Sequence, residues 1–223
     1  MSIKKQRITA AVLTTAYILL LFFRMNYPLH MRATHALENI FGARMISEEE
    51  YLSEHPSSQV LNLLDNQIVV LDFTSDELSD LAQHRIHPEN YISITQYIGH
   101  FRKDITKNGY VYPNISVGDL YVNICRYSSH DIAVKSFEEF DPEFMALAPY
   151  PYSYTKVNDD DRILITKDLH GDEERVWLQI YHIEGDTVVD LKFIMYTDIT
   201  DYLIVEEVRA FCAEMGIYYL PIL

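Results

Sequence analysis

The side chains of this 223-residue chain with the most chemical potential are nine histidines, two cysteines and 33 acidic residues. Zinc needs three or four converging ligands, and the tightest grouping is Asp80, His84 and His87 on adjacent turns of one expected helix. Neither HExxH nor a CxxC pair is present, so the expectation is a polar helix end before Pro88 and no metal. Ser128, His130 and Asp131 have the residue types of a serine triad. A triad is assembled from separated segments, however, and neighbours at a helix start are better placed to cap it. No GxSxG elbow occurs elsewhere. Acidic clusters at Glu48–Glu50, at Glu138, Glu139, Asp141 and Glu143, at Asp159–Asp161 and at Asp172–Glu174 lack a calcium loop and read as solvated surface. Paired carboxylates for glycoside hydrolysis stay open, because their spacing exists only in three dimensions. Cys125 and Cys212 fit either one disulfide or two buried thiols.

One stretch reads as a binding surface. Pro149-Tyr150-Pro151-Tyr152-Ser153-Tyr154 is followed by Asn158-Asp159-Asp160-Asp161. Prolines discourage regular pairing, which predicts a stiff aromatic and acidic loop. Tyrosine is a favoured interface anchor, and carboxylates steer a basic partner. Tyr150, Tyr152, Tyr154, Asp159, Asp160 and Asp161 are therefore the expected partner-binding residues. The plainer alternative is that alternate tyrosines cover a sheet edge.

Charge is segregated along the chain. The formal charge is −15, yet residues 1–24 hold Lys4, Lys5, Arg7 and Arg24 and no acid. The remainder keeps 14 basic against 33 acidic residues, a formal charge of −19. Such a domain repels nucleic acid and anionic headgroups and suits a basic protein partner or a cation. Between Arg7 and Arg24 lies ITAAVLTTAYILLLFF, Ile8 to Phe23, apolar on all faces of a helix. Sixteen residues span about 24 Å, and the flanking arginines reach outward to cover the shortfall against a bilayer core of about 30 Å. No small-x-small cleavage site follows Phe22 and Phe23. The expectation is an uncleaved signal anchor over residues 8–24, with residues 1–7 inside and residues 27–223 outside.

These groups need a scaffold, and 48% hydrophobic content supplies a core. The seven glycines form neither GxGxxG nor GxxxxGK[ST], so no nucleotide cofactor is expected. Helices are predicted at His35–Arg44, after Ser47 and Thr74 through capping boxes, and from Pro88 to Asn108-Gly109 with Tyr91, Ile94, Ile98, Phe101 and Ile105 on one stripe. Gln67–Phe73 and Asp119–Tyr127 read as strands, and Ser128-Ser129-His130-Asp131 caps a further helix. Arg162–Asp168, Arg175–Glu184 and Thr187–Tyr196 form an expected antiparallel meander. Asp190 and Lys192 alternate with Val189, Leu191, Phe193 and Met195, which predicts one wet face. A helix over about Thr200–Met215 covers the other. The expected fold class is α+β: an N-terminal transmembrane helix, then helices packed on one face of a curved antiparallel sheet.

A basic start, one apolar anchor spanning Lys4 to Phe23 and about 200 acidic, tyrosine-rich residues resemble the membrane-anchored immunity proteins of the TipC family. In that family, found beside type VII-secreted toxins of Gram-positive bacteria, an exported domain neutralises a toxin acting outside the membrane. The resemblance is one of layout across the whole chain and carries no functional residue across. It implies a non-enzymatic binding protein at the cell membrane whose partner is a secreted toxin. The alternatives are an accessory subunit or sensor of a membrane complex, and an extracytoplasmic hydrolase.

Overall fold

The computed structural model describes residues 14–15, 27–56, 66–74, 91–138, 152–156, 160–170, 173–196 and 205–218. The expected anchor over residues 8–24 lies outside these residues apart from Thr14 and Thr15, which are helical and exposed. Among the described residues no helix is long and apolar enough to cross a membrane. The expected helix after Thr74 also falls outside them, Thr74 itself being the last residue of a strand.

In chain order the elements are α1 (Leu29–Ile40), β1 (Arg44–Ser47), α2 (Glu48–Glu54), β2 (Gln67–Thr74), β3 (Tyr91–Lys107) and β4 (Tyr110–Tyr127). They continue with α3 (His130–Glu138), β5 (Tyr152–Lys156), β6 (Asp161–His170), β7 (Glu173–Glu184), β8 (Thr187–Tyr196) and α4 (Val205–Glu214). The fold is α+β, and the described strands form one eight-stranded sheet in the order β1-β2-β3-β4-β8-β7-β6-β5. The sheet is mixed: β1 lies parallel to β2, and every other pair is antiparallel.

Both predicted caps that lie among the described residues form. Ser47 Oγ accepts from the Glu50 amide at 3.2 Å, and Ser129 Oγ accepts from the Ile132 amide at 3.4 Å. Each satisfies an amide that the first helical turn leaves without an intrahelical acceptor. The β6-β7-β8 meander is also as expected, with Gly185 at φ 63 in its β7–β8 turn.

The expected helix after Pro88 is instead the 17-residue strand β3. Its apolar residues sit at helix-like intervals because both faces of the strand are covered. Ile94 and Ile98 point to one side of the sheet, and Phe101 and Ile105 pack on the other. Asn108 and Gly109, at φ 53 and φ 80, form a hairpin turn rather than a helix stop. The strand expected from Asp119 accordingly begins nine residues earlier, at Tyr110.

Helices pack on both faces of the sheet, not on one. On the first face α1 and α4 cover Ile68, Leu120, Val122, Leu178, Leu191 and Phe193. On the second, Tyr51 of α2 packs on Val69, Leu71 and Ile98, while Ala133 and Phe137 of α3 pack on Cys125, Ile183 and Val188. The alternating run in β8 therefore has no wet face at Asp190, which is 8% exposed. Cys125 belongs to the second face and Cys212 to the first, and both are buried free thiols. Burial pushes both thiols well above the usual range, which suits packing rather than nucleophilic use.

Candidate functional site

The predicted partner-binding residues divide among three settings. Tyr152 and Tyr154 stand in β5, paired with Thr166 and Leu164 of β6. Among the described residues they form the outermost strand of the sheet, not a loop broken by proline, because Pro149 and Pro151 precede the pairing in sequence. Tyr150 and Asp159 lie outside the described residues. Asp160 is exposed, and its carbonyl accepts from the Ile183 amide at 3.0 Å. Asp161 is turned inward at 6% exposure, which corrects its reading as a surface carboxylate.

Asp161 Oδ1 meets His182 Nδ1 at 2.7 Å, and His182 Nε2 faces Glu184 Oε2 at 3.8 Å. Glu184 in turn pairs with Arg32 of α1. Desolvation lowers the affinity of His182 for a proton, but the hydrogen bond that it donates to Asp161 and the negative charges of Asp161 and Glu184 outweigh it, and the net shift is upward. Glu184 moves down, first through His182 and then through Arg32. The row joins β6, β7 and α1 and works as a structural tie.

A second polar row crosses the other face. Gln96 Nε2 donates to Asn123 Oδ1 at 2.6 Å, and Gln179 Nε2 donates to Asp190 Oδ1 at 2.9 Å and to the Tyr181 hydroxyl at 2.7 Å. Register makes the row: Gln96 is opposite Asn123, Asn123 opposite Asp190, and Asp190 opposite Tyr181. Desolvation pushes the Asp190 carboxyl up, against Lys192 and the bonds from Gln179, Asn123 and Tyr181. A carboxyl with a raised folded-state pKa contributes stability that is full below its unfolded value and lost as pH rises through the folded one. Asp190→Asn keeps shape and acceptor without the charge, so it is expected to raise unfolding free energy at pH 7 by about 1–2 kcal/mol, with the gain shrinking at acid pH. Urea denaturation at both pH values checks this; a loss of stability at pH 7 would contradict it.

A third cluster stands on the β3–β4 hairpin. His100 Nδ1 lies 2.5 Å from Asp119 Oδ1, while Ser116 Oγ and Arg102 Nε each approach His100 Nε2 at 3.3 Å. Sequence reasoning missed this set, because its members meet only through hairpin pairing and residues 91–107 read as a helix. The Asn108-Gly109 turn was the available signal: strands on either side of it bring residues 100, 116 and 119 together. Ser128, His130 and Asp131 assemble no such chain; His130 Nδ1 instead meets the Gly185 carbonyl oxygen at 2.5 Å.

A cavity of about 840 Å³ opens beside the start of α1. Phe73, Ile94 and Ile124 line it together with Asp72, Glu184 and Asp186, against Arg126. Among the described residues no group of three or more His, Cys, Asp or Glu could hold a metal ion, and the Asp80, His84 and His87 set lies outside them.

Fold and site together define an α+β domain on a mixed sheet, covered by helices on both faces and tied internally by charged and polar rows. No family model matches the chain, and no curated protein matches it. A crystal structure of the extracellular domain of PknH from Mycobacterium tuberculosis is similar over 77% of this chain and 90% of that one, at 10% identity and a TM-score of 0.43.

Proposed function

We propose that the chain is a membrane-anchored, extracytoplasmic binding protein that neutralises a secreted toxin by occluding its active cleft. The observation that carries this reading is the segregation of charge: a basic, acid-free start with sixteen uncharged residues, then a remainder at −19. Residues 8–24 hold the chain in the membrane with the amino terminus inside, and residues 27–223 face outward. Neutralisation proceeds by binding, and the tether raises the local concentration of the domain at the surface it protects. The partner is a basic protein, since an acidic surface steers opposite charge and repels nucleic acid. The layout's resemblance to TipC-family immunity proteins supports the choice of toxin.

The partner-facing edge is β5 and the acidic connection after it. Among the described residues β5 is the last strand of the sheet order, and a strand at a sheet's end is a natural place for another chain to dock. Asp159 and Asp160 follow it, and charge there accelerates encounter more than it holds the complex. Asp159→Lys with Asp160→Lys is expected to slow association with the co-purified basic protein about tenfold at low salt, leaving dissociation nearly unchanged. Surface plasmon resonance across a salt series measures both rates. An unchanged association rate would remove this edge from the interface. Asp161 is left intact because lysine there would break its bond to His182.

A further inference from the structure

We propose that the tip of the β3–β4 hairpin docks, head to tail, into the cavity beside α1 of a second copy of this chain. This contact is separate from the edge proposed for the toxin and stands without it, because β8, β7 and β6 lie between the hairpin and β5.

The hairpin outruns the rest of the sheet. β3 pairs with β2 over residues 93–99, and β4 pairs with β8 over residues 118–126. Among the described strands, residues 102–107 and 110–116 therefore pair only with each other. A two-stranded ribbon is marginal unless it is held. Here Pro113 and Asn114 oppose the single residue Asp104, and Asn114 turns into the left-handed region at φ 57. Its amide donates to Asp104 Oδ1 at 2.9 Å, and Arg102 Nη1 donates to its carbonyl oxygen at 3.2 Å. The tip is thereby fixed before a partner arrives, which lowers the entropy cost of docking.

At this tip Tyr110, Val111 and Tyr112 are 71%, 64% and 41% exposed. Three consecutive exposed apolar residues add nothing to a core, and tyrosine is a favoured interface anchor. The local charge is opposite to that of the domain. Residues 102–116 hold Arg102, Lys103 and Lys107 against Asp104 alone, whereas the rest of residues 25–223 holds 11 basic against 32 acidic residues. Glu207 engages Lys103, and the Asn114 carbonyl engages Arg102, so the exposed Lys107 is the charge that the tip presents. A basic, aromatic protrusion suits an acidic surface, and the remainder of this chain is one.

The complementary surface lies at the other end of the same two strands. Ser93 and Thr95 of β3 and Ile124 and Arg126 of β4 line the cavity beside α1, about 40 Å from the tip at about 3.3 Å per residue. Its volume of about 840 Å³ has room for aromatic side chains, and Phe73, Ile94 and Ile124 give it apolar walls. Of its carboxylates, Glu184 pairs with Arg32, and Asp186 faces Arg126 at 3.5 Å. Asp72 accepts from Thr95 Oγ1 at 2.6 Å and makes no ion pair among the described residues. Lys107 of the entering hairpin supplies that cation, while Tyr110 and Tyr112 pack on the apolar walls.

Tip and cavity are different patches of one chain, so each copy gives a tip to one neighbour and a cavity to another. Repetition builds an open row or a closed ring. Where the chain is anchored ahead of α1, such a row runs along the membrane with β3 and β4 parallel to it.

The test is sedimentation of the full chain in detergent at rising concentration, where the parent is expected to grow beyond a dimer. Tyr110→Ser with Tyr112→Ser removes the tip, and Ser93→Trp fills the cavity. Each is expected to weaken association by about tenfold or more while far-ultraviolet circular dichroism remains that of the parent. An equimolar mixture of these two holds one intact tip and one intact cavity per pair, and should give a dimer and nothing larger. Lys107→Glu and Asp72→Lys, both at exposed positions, should each weaken association by about tenfold and restore it when mixed. A parent that stays monomeric, association unchanged in either folded variant, or a mixture no larger than its separate components would overturn the proposal. None of these outcomes bears on toxin binding, which is read separately at β5.

Discussion

His182→Ala is expected to lower unfolding free energy by about 3–5 kcal/mol at pH 6, because it removes the bond and the charge that the buried Asp161 carboxylate faces and opens a void at the ring. Asp161 and His182 are each 8% exposed at the side chain, so water cannot replace the lost contact without opening the fold. The same row makes stability pH-dependent. The folded-state pKa of His182 is raised, so its contribution is full below the ordinary value of 6.5 and lost as pH rises through the folded value. That of Glu184 is lowered, so its contribution is full above the ordinary 4.5 and lost as pH falls through the folded value. Both are complete only between about pH 4.5 and 6.5. Guanidinium titrations from pH 5 to 9 should show the parent losing stability above pH 6.5 and His182→Gln losing less of it. Parallel curves would show that the tie is not the titrating element.

Phe193→Ala is expected to cost about 3–5 kcal/mol. Phe193 is fully buried in β8, with ring centroids 6.4 Å from Phe41 and 5.8 Å from Phe211, the latter edge to face. Phe41 also stacks on Phe101 at 4.5 Å. These four rings join the end of α1, β3, β8 and α4, so truncating Phe193 leaves a void between elements that cannot all collapse toward one another. Differential scanning calorimetry should show a lower midpoint with one transition retained. A loss below about 1 kcal/mol would mean that α1 and α4 do not share this core.

Local chemistry was legible where it was self-contained. The caps at Ser47 and Ser129 and the turn at Gly185-Asp186 follow from short-range rules, and each forms as read. Long-range burial was not legible. Tyr91, Ile94, Ile98, Phe101 and Ile105 make a convincing helical stripe only if a single covered face is assumed, and in β3 they are shared between two. The same assumption left Asp190 wet, although polar partners on neighbouring strands satisfy it from within. The tyrosine-acid stretch was read as one unit, but strand pairing separates Tyr152 and Tyr154 on the edge from Asp161 in the interior. Ser116, His100 and Asp119 were invisible for a related reason: a bulge in a hairpin, not spacing in the chain, makes them neighbours.

The most direct measurement is suppression of toxicity at the membrane. Cells making the full chain are challenged with the basic protein that co-purifies with it, and survival is compared with cells making residues 27–223 alone without an export signal. The expected result is protection by the full chain only, with a 1:1 complex recovered from the membrane and residues 27–223 open to added protease on intact cells. Undiminished killing despite a membrane-anchored, protease-accessible chain would contradict the proposed function.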